Sequence, residues 1–304
     1  MCKSVFRLDL VKTALCLSAV FLIVGPSAPA HAWDCDVHIA LAMRAKLPFI
    51  EKIPLYGLPG EICLKHKCDG GKILQRSRRA NHKCTAKQAY FEFVHGSQDP
   101  DDDDFRSNLI RERSHQNSAP GHAIRSFNAS LRSFVRLGQQ DLDTCGPEDP
   151  FATLGRSMHY LQDWGDPTKY LDNVTHRGPY SRKSISRQWA NKYANDMIAG
   201  RQLDPKLQTV AREAMTRARD AMQSARTPSD ILRAVEKERI PSAKRLREEF
   251  HRLRRSQHTA EDIRHMDEQV AEVMVSSMAY LEMAQKFWLV MWKAELIRLG
   301  ANSP

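Results

Sequence analysis

Residues 270–291, VAEVMVSSMAYLEMAQKFWLVM, decide the fold class of this chain. Their large apolar residues recur every three or four positions, which is the period of an amphipathic helix and not the alternation of a strand. The stripe consists of Val270, Val273, Met274, Leu281, Ala284, Trp288 and Met291. A stripe this dense is typical of a helix that closes the core of a bundle.

Helical periodicity extends outward from this segment in both directions. A weaker stripe of Leu207, Val210, Ala214, Ala218 and Ala221 precedes it, and we expect residues 205–304 to be C-terminal helices throughout. Further upstream, the pattern predicts helices over 33–46, 87–94 (ended by Gly96), 120–137 and 150–163, and another near Ser186. Strand alternation is hard to find anywhere. The predicted fold is therefore all-α, a multi-helix bundle.

The first 32 residues have the features of a signal peptide. Lys3, Arg7 and Lys12 give a basic start, residues 13–24 form an uncharged apolar run, and Ala30-His31-Ala32 supplies a small-x-small cleavage pattern. Retention of the segment as an uncleaved anchor is the alternative. Cleavage predicts an exported protein, periplasmic or secreted, whose mature chain begins at Trp33 and forms one helical domain over 33–304.

The charge balance bears on partners. The chain carries 46 basic and 36 acidic residues, a formal net charge of +10. A basic exported protein tends to meet anionic phospholipid head groups, an anionic membrane surface or nucleic acid. This predicts which partners it encounters and not which reaction it catalyses.

Residues 50–88 read as an irregular, basic, cysteine-containing insertion. Five of the seven cysteines follow the leader: Cys35, Cys63, Cys68, Cys84 and Cys145. An oxidising compartment favours one or two disulfides among them. A structural zinc ion held by Cys63, His66, Cys68, His82 and Cys84 is the alternative, although their spacing fits no familiar zinc module.

The first candidate metal ligands are His159 and Asp163. They stand four residues apart in a predicted helix, so both side chains leave the same face and can bind one ion. By itself such a pair is more often a hydrogen bond on a helix surface or in a core than a metal site. The surrounding sequence is more informative.

Three motifs carry a resemblance to a known family. Residues 155–163 read GRSMHYLQD and are followed by Asp166-Pro167 and by Asn173-Val-Thr175. Upstream stands Gly96-Ser97-x-x-Pro100-Asp101, and Trp33 at the predicted new terminus is followed five residues later by His38. In this order, the features resemble those of the bacterial zinc-dependent phospholipases C, over residues 33 to about 190.

The resemblance implies two zinc ions. One would be bound by Asp101, His115, His159 and Asp163, with His122 a competing choice for His115. The other would be bound by the free amine and carbonyl of Trp33 and by His38, with Asp163 bridging both ions. Such a pair lowers the pKa of a bound water and directs it at phosphorus.

A third zinc site of the family has no clear counterpart here. Lys169 stands where the family has a histidine, and Lys183 and Arg187 stand where it has a His-x-x-x-Glu pair. His176 could replace one ligand. Either the three cations bind substrate phosphate in place of the ion, or the catalytic set has decayed and the protein is a metal-stabilised binding module.

The resemblance implies an exported zinc-dependent phosphoesterase that hydrolyses a phospholipid phosphodiester, with Asp101, Lys169, Lys183 and Arg187 as its catalytic residues. The related fungal single-strand nucleases share the Trp-to-His spacing, so a nucleic-acid substrate is the second hypothesis. Sequence leaves the oligomeric state open.

Overall fold

All regular structure in the described part of the chain is helical, which confirms the predicted fold class. The computed structural model describes residues 35–45, 86–97, 111–137, 150–170, 182–198, 200–252 and 259–300. In chain order the α-helices are α1 (Cys35–Ala45), α2 (Ala86–Gly96), α3 (Arg111–Leu137), α4 (Pro150–Gly165), α5 (Arg182–Ile198), α6 (Pro205–Met222), α7 (Pro228–Arg252) and α8 (Ala260–Arg298). A 3₁₀ turn, Pro167–Tyr170, follows α4.

Helix α8 is the long element on which the bundle packs. Its 39 residues extend roughly 58 Å at the usual helical rise. Thr259 begins it with a capping box, in which the Thr259 side chain and Asp262 each accept a hydrogen bond from the other's backbone N–H. Helices α1 and α3 to α7 all contact it. The stripe predicted from the sequence is buried here apart from the half-buried Met291, and Trp292 extends it.

The buried face of α6 differs slightly from the predicted one. The structure buries Ala211, Ala214, Ala218 and Met222, whereas the predicted Ala221 is exposed. Alanines occur around much of this helix. Because each offers little apolar area, the sequence pattern could not locate the centre of the buried face to within one residue.

Helix α3 begins nine residues before its predicted start, at Arg111, and continues through Pro120. A proline inside a helix removes one N–H donor and is unfavourable by about 3 kcal/mol. Ala119, Ala123 and Phe127 are buried at helical spacing around this proline. Their packing explains why the helix does not begin there. Helix α5 likewise begins earlier than predicted, at Arg182, with Ser186 buried inside it.

Helix α4 is buried over most of its surface and lies between α2 and α3. Hydrogen bonds fix its rotation: the Ser157 hydroxyl donates to Ala123 O of α3 at 2.9 Å and accepts from Trp288 Nε1 of α8, also at 2.9 Å. At its C-terminal end, Arg239 of α7 donates to Trp164 O at 2.8 Å, with its guanidinium 3.9 Å from the centre of the Trp164 ring. A cation at this end also complements the helix dipole.

Helices α2 and α4 approach each other at backbone contact. A Cβ on Gly155 would lie 2.1 Å from Phe93 O and 2.8 Å from Ser97 N, and a Cβ on Gly96 would lie 2.1 Å from Ala152 O. Only glycine permits these separations, because backbone atoms cannot move aside as a flexible side chain can. The glycine crossing, as we call Gly96 and Gly155, therefore sets the distance between the two helices.

The predicted leader 1–32 and residues 50–85 of the predicted insertion lie outside the described residues, as do Cys63, Cys68, Cys84 and Cys145. Residues 86–88 form the first turn of α2. Within the described ranges, no helix combines the length and the apolar character needed to cross a bilayer.

Gly155→Ala is expected to destabilise the protein by about 1–3 kcal/mol, because the added methyl group overpacks a backbone contact. Urea unfolding monitored by circular dichroism measures the change. Gly121→Ala is the matched control, since its Cβ would meet only Arg125 Nη1 at 3.5 Å. That change should leave stability unchanged or raise it by up to about 1 kcal/mol. Equal effects of the two substitutions would contradict the glycine crossing.

Candidate metal centre

Two helices that are distant in sequence bring three predicted ligands together. His38 lies on α1, and His159 and Asp163 lie one turn apart on α4. All three side chains are buried, at 0%, 0% and 3% exposure. One ligand atom from each lies within 4.8 Å of the others, a group that could hold a metal ion.

The Asp163 carboxylate faces both imidazoles and presents a different oxygen to each. Oδ1 is 3.7 Å from His38 Nε2, and Oδ2 is 3.6 Å from His159 Nε2. The two rings are 4.2 Å apart between centroids. Two ligands of one tetrahedral zinc ion lie about 3.3–3.4 Å apart, given bonds of about 2.0–2.1 Å. The observed separations are thus close to those of ligands around an ion.

The opposite nitrogen of His159 is fixed by the backbone. Its Nδ1 lies 2.9 Å from Ser97 O, and a carbonyl oxygen can only accept, so Nδ1 carries the hydrogen. In the neutral ring Nε2 then has a lone pair toward Asp163. Ser97 occupies this position because it directly follows Gly96 at the glycine crossing.

His38 is oriented by a side-chain amide on α4. Its Nδ1 is 2.5 Å from Gln162 Oε1. The Gln162 Nε2 group donates to Gln285 Oε1 of α8 at 3.0 Å and to His38 O at 3.4 Å, which leaves Oε1 as the acceptor. His38 Nδ1 is therefore the donor, and His38 Nε2 is directed toward Asp163.

This arrangement favours a cation at the centre. Two imidazole lone pairs and a carboxylate directed at one buried space repel each other, and a metal ion between them changes repulsion into coordination. Hydrogen bonds from the far nitrogen of each histidine to an oxygen are also what metal-binding histidines usually make. The buried His38–His159–Asp163 group, which we call the metal triad, is thus suited to bind a metal ion.

The segment after the metal triad is held in place by a buried carboxylate. Asp166 accepts from Thr168 N at 2.7 Å and from Thr168 Oγ1 at 2.9 Å. These bonds form the turn into the 3₁₀ segment, whose third residue is Lys169. The turn fixes the direction in which the chain leaves α4.

The other predicted site residues are only partly located. Trp33 and Asp101 lie outside the described residues. His115 lies in the first turns of α3, Lys169 in the 3₁₀ turn, and Lys183 and Arg187 at the start of α5, but only their backbone positions are described. His122, the competing ligand, stacks on Tyr160 at 5.0 Å between ring centroids and is not a member of the metal triad.

Comparisons with protein-family models, with curated proteins and with solved structures found no match to this chain.

Gln162, Gln285 and the Ser97 carbonyl belong to the site but were not predicted from the sequence. Gln162 precedes Asp163 directly, yet a glutamine in a buried helix has no spacing that identifies its partner. Ser97 was noted only as part of the turn that leads to Asp101. A carbonyl group can be assigned to a histidine only when the helix crossing is known.

Metal binding should stabilise the folded protein through the metal triad. Adding Zn²⁺ to chelator-treated protein should raise the melting temperature by about 5–10 °C at a hundredfold excess over Kd, because the ion binds the folded form selectively. His159→Ala should reduce this shift, whereas His265→Ala, which replaces an exposed histidine on α8, should retain it in full. Differential scanning calorimetry makes the comparison. A full shift in His159→Ala would place the ion elsewhere.

Gln162→Met should weaken metal binding about 10- to 100-fold, since the substitution removes the acceptor that orients His38. Competition with a chromophoric chelator measures the affinity. Ser130→Ala is the control, because it removes a different buried hydrogen bond, 2.6 Å to Pro150 O. It should lower stability by about 1 kcal/mol without changing metal affinity. Wild-type affinity in Gln162→Met would exclude a role for this amide in orienting His38.

Proposed function

We propose that this protein is an exported zinc-dependent phosphoesterase that hydrolyses a phospholipid phosphodiester, as a phospholipase C does. The observation that carries the proposal is the shared carboxylate of Asp163. One of its oxygens faces His38 and the other faces His159. The family resemblance assigns these histidines to two different zinc ions bridged by this same residue.

A shared carboxylate is one arrangement that can bridge the ions of a two-ion site. Catalytic ion pairs lie about 3.5–4 Å apart, a separation that a bridging carboxylate spans with one oxygen on each ion. His38 and His159 approach from different helices, so each can serve a different ion. The two rings lie 4.2 Å apart at 31°, and each Nε2 faces its own oxygen of the carboxylate. One carboxylate oxygen for each histidine supports the two-ion assignment, although the three side chains also have the separations of ligands to one ion.

Zinc is the metal that the ligand chemistry favours. Imidazole nitrogen with carboxylate oxygen suits zinc better than magnesium or calcium, which prefer all-oxygen ligands. When bound, zinc lowers the pKa of a bound water toward neutrality and polarises the phosphoryl oxygen. Gln162 and Ser97 hold the two histidines in the tautomer that this chemistry needs, so the ligands are oriented before an ion binds.

The negative charge that develops on a phosphoryl group also needs a counter-charge from the protein. We assign this role to Lys169, Lys183 and Arg187, in place of the family's third zinc ion, with Asp101 as the remaining catalytic residue. Fixed cations close to a transferring phosphoryl group are a common means of stabilisation. Their backbone positions, directly after α4 and at the start of α5, are consistent with this role.

Export and catalysis are linked in this proposal. Cleavage after residue 32 would expose the α-amine of Trp33, which the family uses as a zinc ligand. The second ion would then bind only the processed chain. The full chain carries a net charge of +10, and removal of the leader with its three basic residues and one acidic residue leaves +8, which favours encounter with anionic lipid surfaces.

The proposal is tested by measuring zinc content and turnover on the same preparations. Protein beginning at Trp33 should contain about two zinc ions by mass spectrometry and hydrolyse a chromogenic phosphatidylcholine analogue, and a chelator should abolish turnover. Asp163→Ala should lose both ions and fall to background activity, because its carboxylate is shared. Asp220→Ala, an exposed acid on α6, should match the wild type in both measurements. An extension before Trp33 should remove about one ion.

Each contrary result identifies a different error. Unchanged zinc in Asp163→Ala would overturn the shared-carboxylate scheme. If the protein cleaves single-stranded DNA in a chelator-sensitive way and does not cleave the lipid analogue, the substrate is a nucleic acid and the zinc-dependent mechanism still holds. Two zinc ions with no turnover on either substrate would make the protein a metal-stabilised binding module.

A further inference from the structure

A cavity of about 540 Å³ opens between α5, the loop before α6, α6 itself and α8. It is separate from the metal triad. Val275 and Glu268 of α8 line the cavity, whereas the α8 residue that is hydrogen-bonded to Gln162 beside the metal triad is Gln285. These positions are about 15 Å and 25 Å from Gln285 along the helix axis. The volume falls within the range of small-molecule sites in proteins.

The polar part of the cavity consists of paired charges. Four carboxylates line it, Asp196, Asp204, Glu268 and Glu272, against two ammonium groups, Lys192 and Lys206. Lys206 is bound to Glu272 at 2.8 Å, and Arg245 also binds Glu272, at 2.6 Å. Asp196 is paired with Arg201 at 2.7 Å. The four carboxylates are thus matched by Lys192 and Lys206 in the lining and by Arg201 and Arg245 beside it, and displacement of Lys192 leaves one negative charge for a ligand cation.

The indole of Trp189 forms one wall of the cavity, and the ammonium group of Lys192 lies over it. Lys192 Nζ lies 4.4 Å from the centre of the Trp189 ring, and both residues line the cavity. The indole is held in place through its edge, because Trp189 Nε1 donates to Asp267 Oδ1 of α8. Lys192 is an exposed residue, so its ammonium can leave the ring for solvent. The indole face thus attracts a positive charge that another cation can replace.

The remaining wall is apolar. Leu203 and Leu207 are half-buried, and Ala271 and Val275 are buried on α8. An apolar wall next to an aromatic face and carboxylates matches a ligand that has a hydrocarbon body and a positive head group. An anionic ligand would be repelled by the negative face of the indole and by the exposed Glu268, and a neutral polar ligand would leave the aromatic face unused.

We propose that this cavity binds an organic cation with an apolar body, an alkylammonium ligand whose head group displaces Lys192 from the face of Trp189. Its alkyl body packs on Leu203, Leu207 and Val275, and Glu268 supplies counter-charge at the rim. This site requires no metal ion. It is independent of the proposed hydrolase activity, and a chelator should leave it unchanged.

The test uses three probes that share a hexyl body and differ in charge: hexyltrimethylammonium, 1-hexanol and hexane-1-sulfonate. Isothermal titration calorimetry with chelator present should show binding of the ammonium compound with a Kd of about 1 mM or tighter. The alcohol and the sulfonate should bind at least about tenfold more weakly. The full chain beginning at Trp33 is used throughout.

Two variants separate this site from general attraction of cations. Trp189→Leu should weaken ammonium binding about 5- to 30-fold, since the aromatic face is lost. Lys192→Ala should strengthen it about 2- to 5-fold, because the competing ammonium is removed. Lys237→Ala is the matched control on α7, with the same charge change at an exposed position outside the cavity lining. It should bind as the wild type does, because salt screens a distant charge.

The proposal is overturned by equal affinity for the ammonium and the alcohol, by tighter binding of the sulfonate, or by no measurable ammonium binding. Weaker binding in Lys192→Ala would also overturn it, since this result would make the lysine part of the site and not its competitor. Loss of hydrolase activity in the metal-triad variants with ammonium binding intact would leave the cavity proposal standing, because the two sites are independent.

Discussion

The close approach of α2 and α4 is the constraint on which the site depends. Gly96 and Gly155 let two helix backbones meet at a separation that no Cβ would allow. This contact brings Ser97 O to His159, and it holds α4 against α2 while α3 packs on the other side. A larger residue at either glycine would move the carbonyl away from the imidazole. The backbone contact between α2 and α4 therefore also determines the orientation of His159.

Buried polar groups around the metal triad form a connected set. Gln162 links His38 to Gln285, and Gln285 in turn donates to Leu281 O within α8. A buried amide without partners is unfavourable by about 1–3 kcal/mol, so such a network is stable only when its members are satisfied together. This requirement fixes one tautomer and one rotamer for His38, which is what a metal ligand needs.

Helix α8 serves both sites from different turns. In its C-terminal half, Gln285 accepts a hydrogen bond from Gln162, which orients His38 of the metal triad. Trp288, one turn further on, donates to Ser157 of α4. Closer to its start, α8 supplies Glu268 and Glu272 to the cavity beside Trp189. A single rigid helix can support two sites in this way, because its hydrogen bonds hold the two ends at a fixed separation.

Local pattern in the sequence determined the helical class, the approximate bounds of most helices and the pairing of His159 with Asp163. Each of these follows from spacing within one helix. The local pattern did not predict the start of α3 or the exact buried face of α6. Buried contacts with other helices determine both, and they outweigh the helix-start preference of Pro120 and the periodicity that included Ala221. The family resemblance placed His38 with the pair, and tertiary structure alone supplied Gln162, Gln285 and the Ser97 carbonyl. Tertiary structure alone also forms the cavity beside Trp189. These groups come from segments far apart in the chain, and only packing determines which of them meet.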